Sequence, residues 1–151
     1  MANLNLPKTG WVLVDTNFLI DFFSKKQFYS EFLKSASKSS ISIVSIEPVR
    51  VEFIRSKNKD VVRQKSDFFI KVVEALLPLD QEVFSLVQPT DIFLACAIQR
   101  YSQVYLLTRN HQDFPTKLFK RSNIFNIETE KDVKTYALYQ YIQPEAKEIS
   151  F

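Results

Sequence analysis

The sequence predicts an α/β domain built on a mostly parallel sheet between helical layers. Three observations predict it. Short apolar runs of strand length recur at residues 11–14, 41–46 and 104–107. Apolar residues at helical spacing lie between them. The first run is apolar throughout and does not alternate, as expected of a parallel strand covered on both faces. Strands alternating with helices argue for parallel pairing through crossover connections. A length of 151 residues suits one domain, spanning 1–151 with its core at about 10–142.

Each element has its own justification. Residues 11–14 read WVLV and end in Asp15-Thr16-Asn17. Phe18, Leu19, Phe22 and Phe23 then mark a helix, and Phe28, Phe32 and Leu33 a second one. A small polar linker, 35–40, leads to the strand at 41–46. Pro48 suits a first helical turn, and that helix is expected to run to about Ser56. Residues 60–77 carry a broad apolar face and read as helix, with a short strand at 76–79 broken by Pro78. A short helix is expected at 81–87. Pro89-Thr90-Asp91 opens another, apolar nearly all round and therefore central. Residues 104–107 form a strand ending in Thr108-Arg109-Asn110, and 124–127 a last edge strand. Residues 132–141 read as a C-terminal helix whose tyrosines serve packing rather than base stacking.

Composition excludes several chemistries. The chain has a single Gly, one His and one Cys, against 14 Phe. Phosphate-binding loops and dinucleotide fingerprints need several glycines. A zinc finger needs four Cys or His ligands, but His111 and Cys96 are the whole supply. No disulfide can form within the chain. Cys96, set in an apolar run, reads as core, and His111 as an exposed turn residue rather than a base. The net charge of +3 permits a polyanionic partner without requiring one. The opening residues lack the pattern of a signal peptide, and no apolar stretch is long enough to span a membrane. A cytoplasmic protein is expected.

The carboxylates are the remaining candidates for chemistry. In open α/β sheets, sites form beyond the carboxyl ends of the strands. Asp15 directly follows the first strand, Glu47 and Glu52 follow the second, and Asp113 lies in the turn after 104–107. Asp91 opens the apolar helix before that strand. Four acidic groups converging at one end repel one another unless cations neutralise them. Oxygen ligands suit Mg²⁺ or Mn²⁺. The expected chemistry is hydrolysis of a phosphodiester by a metal-activated water. Each residue also has a plainer role. Asp15 suits a helix N-cap, Glu52 a helix surface, Asp91 a first-turn charge and Asp113 a turn. The scattered Lys and Arg suit a solvated helical face as well as a phosphate contact.

Taken together, these stretches resemble the PIN-domain nucleases. Residues 12–20, VLVDTNFLI, are similar to that family's opening signature; residues 90–97, TDIFLACA, to its third motif; and 106–114, LLTRNHQDF, to its fourth. Glu52, in VEFIR, is most similar to the second acidic position, with Glu47 the other candidate. Five residues separate them, so one helix turns them about 140° apart and both cannot face one metal. The resemblance implies a three-layer α/β/α sandwich and an Mg²⁺- or Mn²⁺-dependent ribonuclease. It implies that Asp15, Glu52, Asp91 and Asp113 form the acidic site, with Asp15 and Asp91 as main metal ligands. Asn17 and Thr108 would orient those carboxylates. Small members of the family, of the VapC type, are mostly toxins, often dimeric and inhibited by a cognate antitoxin. The alternatives are a non-catalytic nucleic-acid or protein-binding domain and an aspartate-based phosphotransfer or phosphatase domain. Asn17 stands where the phosphatases carry a second Asp, which disfavours the latter.

Overall fold

The computed structural model describes residues 6–78, 90–101 and 103–142, and for residues 28 and 90–93 the backbone alone. Its elements are β1 (Thr9–Val14), α1 (Thr16–Ser24), α2 (Lys26–Lys38), β2 (Ser40–Ser45), α3 (Glu47–Ile54), α4 (Lys59–Val72) and β3 (Ala75–Leu76). After these come α5 (Thr90–Arg100), β4 (Val104–Thr108), a 3-10 turn (His111–Asp113), β5 (Phe119–Glu128) and β6 (Val133–Tyr141). The helix expected at 81–87 lies outside the described residues.

The six strands form one mixed sheet in the order β3-β2-β1-β4-β6-β5. The first four are mutually parallel, and β6 runs antiparallel to both β4 and β5. From β1 the chain steps outward to β2 and β3, then returns to the other side of β1 as β4. Right-handed connections then put α1–α4 on one face and α5 on the other. The architecture is α/β and compatible with three layers. Strand order reverses between β1 and β4, which is where open α/β sheets place their sites. No helix among the described residues is long and apolar enough to cross a membrane.

Aromatic packing fills the core. Val12, Leu13 and Val14 are completely buried, which explains why β1 does not alternate. On the helical face, Phe18 meets Phe22, Tyr29, Phe32 and Tyr136 edge-on, with ring centroids 4.8 to 5.9 Å apart. Each such pair contributes about 0.5–1.5 kcal/mol beyond its buried area. The lone glycine has a definite place in this frame. Gly10 takes φ +115°, and a Cβ there would stand 3.0 Å from the Gln103 carbonyl. That carbonyl accepts from the Trp11 amide at 3.2 Å, so β1 and the start of β4 meet where no side chain fits.

Three expectations are corrected. The polar linker expected at 35–40 is helix as far as Lys38, and β2 begins at Ser40. Residues 132–141 form a strand, not a helix: β6 pairs with β4 and β5 and lies inside the sheet. Val133, Thr135, Tyr136, Tyr139 and Tyr141 are β-branched or aromatic, types that favour a pleated surface. Tyr136 through Tyr139 are fully buried, so the helical spacing was the coincidence of a continuous apolar run. The helix expected at 60–77 stops at Val72, and β3 begins at Ala75, pairing Ala75 with Val44. The start of that helix is fixed by Asn58, whose side chain accepts from the Asp60 amide at 2.9 Å.

Candidate active site

Asp15 leaves the end of β1 at the point where strand order reverses. Its amide donates to the Leu107 carbonyl at 3.3 Å, continuing the β1–β4 ladder one residue further. The carboxylate is only 4% exposed. Thr108, the last residue of β4, donates its hydroxyl proton to Asp15 Oδ2 at 2.5 Å. That hydroxyl accepts from the Asn110 amide at 3.0 Å, so its direction is fixed from both sides. Asp15 occupies the N-cap position of α1, yet its side chain makes no capping hydrogen bond. The amides of Thr16 and Asn17 act on it electrostatically.

Burial pushes the Asp15 carboxyl above its ordinary value. The Thr108 hydroxyl and the two amides pull it down, and the charge of Glu52 pushes it up again. Burial prevails, because no cation among the described residues offsets the lost hydration. Beside it, Thr16 is 3% exposed and its hydroxyl has no hydrogen-bond partner among the described residues. An unsatisfied buried hydroxyl costs about 1–3 kcal/mol. Carboxylate and hydroxyl oxygens of this kind are the ligand type that hard divalent cations take.

The two candidates for the second acidic position sit in different surroundings. Glu47 is half-buried and forms an ion pair with Arg50, one turn on, which holds its carboxyl below the ordinary value. Glu52 is exposed and is the acidic group whose charge reaches Asp15. Asp113 is exposed in the 3-10 turn, and the Asn110 side chain donates to it at 2.5 Å. Asn110 thus links Asp113 to Thr108, and through it to Asp15. Asn17 is half-buried on the first turn of α1, and its backbone amide is what acts on Asp15. The backbone of Asp91 is the second residue of α5; its side chain lies outside the described residues. The end of α5 adjoins the start of β4, where the Val104 amide donates to the Tyr101 carbonyl at 3.2 Å. A crossover helix runs back against its strand, so the start of α5 faces the carboxyl end of the sheet. Among the described residues no three Asp, Glu, His or Cys side chains are gathered closely enough to hold a metal ion.

His111 is better ordered than a turn composition suggests. Its Nδ1 lies 2.6 Å from the Tyr139 hydroxyl and its Nε2 3.1 Å from the Thr135 carbonyl. A carbonyl only accepts, so Nε2 carries a proton and neither nitrogen is open to act as a base. The ring fastens the turn bearing Asp113 to β6.

Sequence reasoning missed a second polar network. Asp21, on α1, accepts from Arg109 Nε at 2.8 Å and from the Tyr136 hydroxyl at 2.5 Å. Tyr136 in turn lies 2.9 Å from the Tyr29 hydroxyl. Burial drives the Tyr29 phenol up to about 12, and burial with donation to Asp21 drives Tyr136 further up. Both phenols stay protonated as hydrogen-bond donors. The available signal was Asp21 itself, a lone acid among Phe18, Leu19, Phe22 and Phe23, where a charge persists only if paired. Comparison of the chain with family models, with curated proteins and with solved structures finds no match.

Proposed function

We propose that the chain is a PIN-domain-type endoribonuclease dependent on Mg²⁺ or Mn²⁺, acting as the toxin of a toxin–antitoxin pair and as a homodimer. The observation that carries this reading is the state of Asp15. It is a buried carboxylate at the reversal of strand order, fixed by a hydroxyl rather than a cation and crowded by Glu52. Asp15 and Asp91 would hold the cation, with Glu52 and Asp113 as flanking carboxylates. The cation, when bound, supplies positive charge for the phosphodiester and acidity for an attacking water. The chain contributes orientation. Thr108 holds Oδ2 of Asp15 in place, leaving its other oxygen for ligation. Asn110 carries that constraint to Asp113.

The experiment incubates purified protein with single-stranded RNA and Mg²⁺ or Mn²⁺, with EDTA as control. Asp15→Asn and Asp91→Asn are expected to reduce cleavage by about 10²-fold or more, the loss of several kcal/mol of charge stabilisation. Cleavage that survives both substitutions would sink the site. Failure of the wild-type chain to cut any RNA tested would favour a non-catalytic binding domain.

A further inference from the structure

A second feature lies on the helical face. Phe23 at the end of α1, Phe53 on α3 and Phe68 on α4 form a three-ring platform. Phe23 stands 6.0 Å from Phe53 and 5.4 Å from Phe68. Two lysines sit over it. Lys26 Nζ is 5.4 Å from the Phe23 centroid and 5.5 Å from that of Phe68. Lys65 Nζ is 6.0 Å from Phe23 and 5.3 Å from Phe53. Phe53 and Phe68 are buried, whereas Phe23 is half-exposed.

Lys34, Arg50, Arg109 and Lys134 have carboxylate partners. Among the described residues, neither Lys26 nor Lys65 is in an ion pair. Both ammonium groups instead lie against the Phe23 ring, an attraction worth about 0.5–1 kcal/mol at exposed sites. Both therefore keep their charge available to an anion. The platform is also close to the acidic site. Phe53 directly follows Glu52, and Phe23 lies about 10 Å along α1 from Thr16 at the helical rise.

We propose that Lys26 and Lys65, set on Phe23, form the contact for the phosphate backbone of single-stranded RNA leading to Asp15. This rests on the nuclease reading above and assigns its substrate path. Cations interleaved with an accessible aromatic ring are what sequence-tolerant single-strand binding requires. Covering of the rings by lysine stems alone is the competing role.

The test uses Lys26→Met with Lys65→Met, which keeps the apolar stems and removes both charges. Binding of a labelled single-stranded RNA is followed in EDTA across a salt series. The expected result is about tenfold weaker binding at low salt, a log–log salt slope shallower by about 0.7 per lysine, and an unchanged melting temperature. Lys38→Met, at the end of α2, should leave the slope as it is. An unchanged slope in the double variant overturns the proposal, as does equal flattening by Lys38→Met. Equal loss of poly-glutamate binding would assign the cluster to acidic proteins and also overturn it. Wild-type cleavage with an unchanged slope defeats this contact alone; no cleavage and no binding defeats the nuclease reading with it.

Discussion

Two aspartates six positions apart, Asp15 and Asp21, meet consecutive residues at the end of β4 and receive opposite treatment. Asp21 is given a guanidinium by Arg109 and a phenol by Tyr136, themselves tied to Tyr29. Its charge is answered inside the protein. Asp15 is given only a hydroxyl by Thr108, two backbone amides and the repulsion of Glu52. Among the described residues no cation answers its charge. The difference separates a carboxylate paired within the fold from one whose burial is the dominant influence.

Substitution should therefore change stability in opposite directions. Asp21→Asn removes a charge-assisted pair and weakens the phenol's bond, at about 2–3 kcal/mol. A fall of roughly 5–10 °C in melting temperature is expected. Tyr136→Phe removes one buried donor and leaves the Tyr29 hydroxyl short of a partner, at about 1–2 kcal/mol by denaturant titration. If either variant is as stable as the wild type, Asp21 is not the structural member of the pair.

Asp15→Asn should do the reverse. A carboxyl whose pKa is raised on folding binds its proton more tightly in the native state. Its contribution to stability is full below the unfolded value of 3.8 and is lost as pH rises through the native one. The asparagine variant should melt roughly 2–4 °C above the wild type at pH 7 in EDTA, and the gap should close below about pH 4. Mn²⁺ should raise the melting temperature of the wild type and not that of Asp15→Asn. A variant less stable than the wild type at pH 7 would mean that Asp15 is already compensated. The smallest effect concerns the second acidic position. Glu47→Gln breaks a partly solvated ion pair within one helix and should cost no more than about 0.5 kcal/mol. Its cleavage rate should be near that of the wild type, whereas Glu52→Gln should reduce it.

The parallel half of the sheet was legible because its strands are short apolar runs with polar residues at their ends. Asp15 was singled out by its position one residue beyond β1, and Thr108 through the resemblance to the PIN-domain family. The antiparallel half was not legible. Tyr136 to Tyr139 are buried on both faces, and a run without alternation has no period to separate strand from helix. That error hid the Asp21 network as well, since it depends on β6 lying beside β4. The edge strand was seen only at 124–127, because β5 is interrupted between Ser122 and Phe125, where Asn123 takes φ 50°. Glu52 was preferred to Glu47 on its resemblance alone; that Arg50 turns back on its own helix to pair with Glu47 is something spacing permits but does not dictate.

The register of β1 on β4 carries a consequence of its own. Val14 lies opposite Leu107, so Asp15 meets Thr108 while Arg109 passes to Asp21. A slip of one residue would hand the arginine to Asp15. The chain would then complete an internal ion pair at the reversal of strand order. A single-residue deletion within β4 would thus give Asp15 the kind of partner that Asp21 already has.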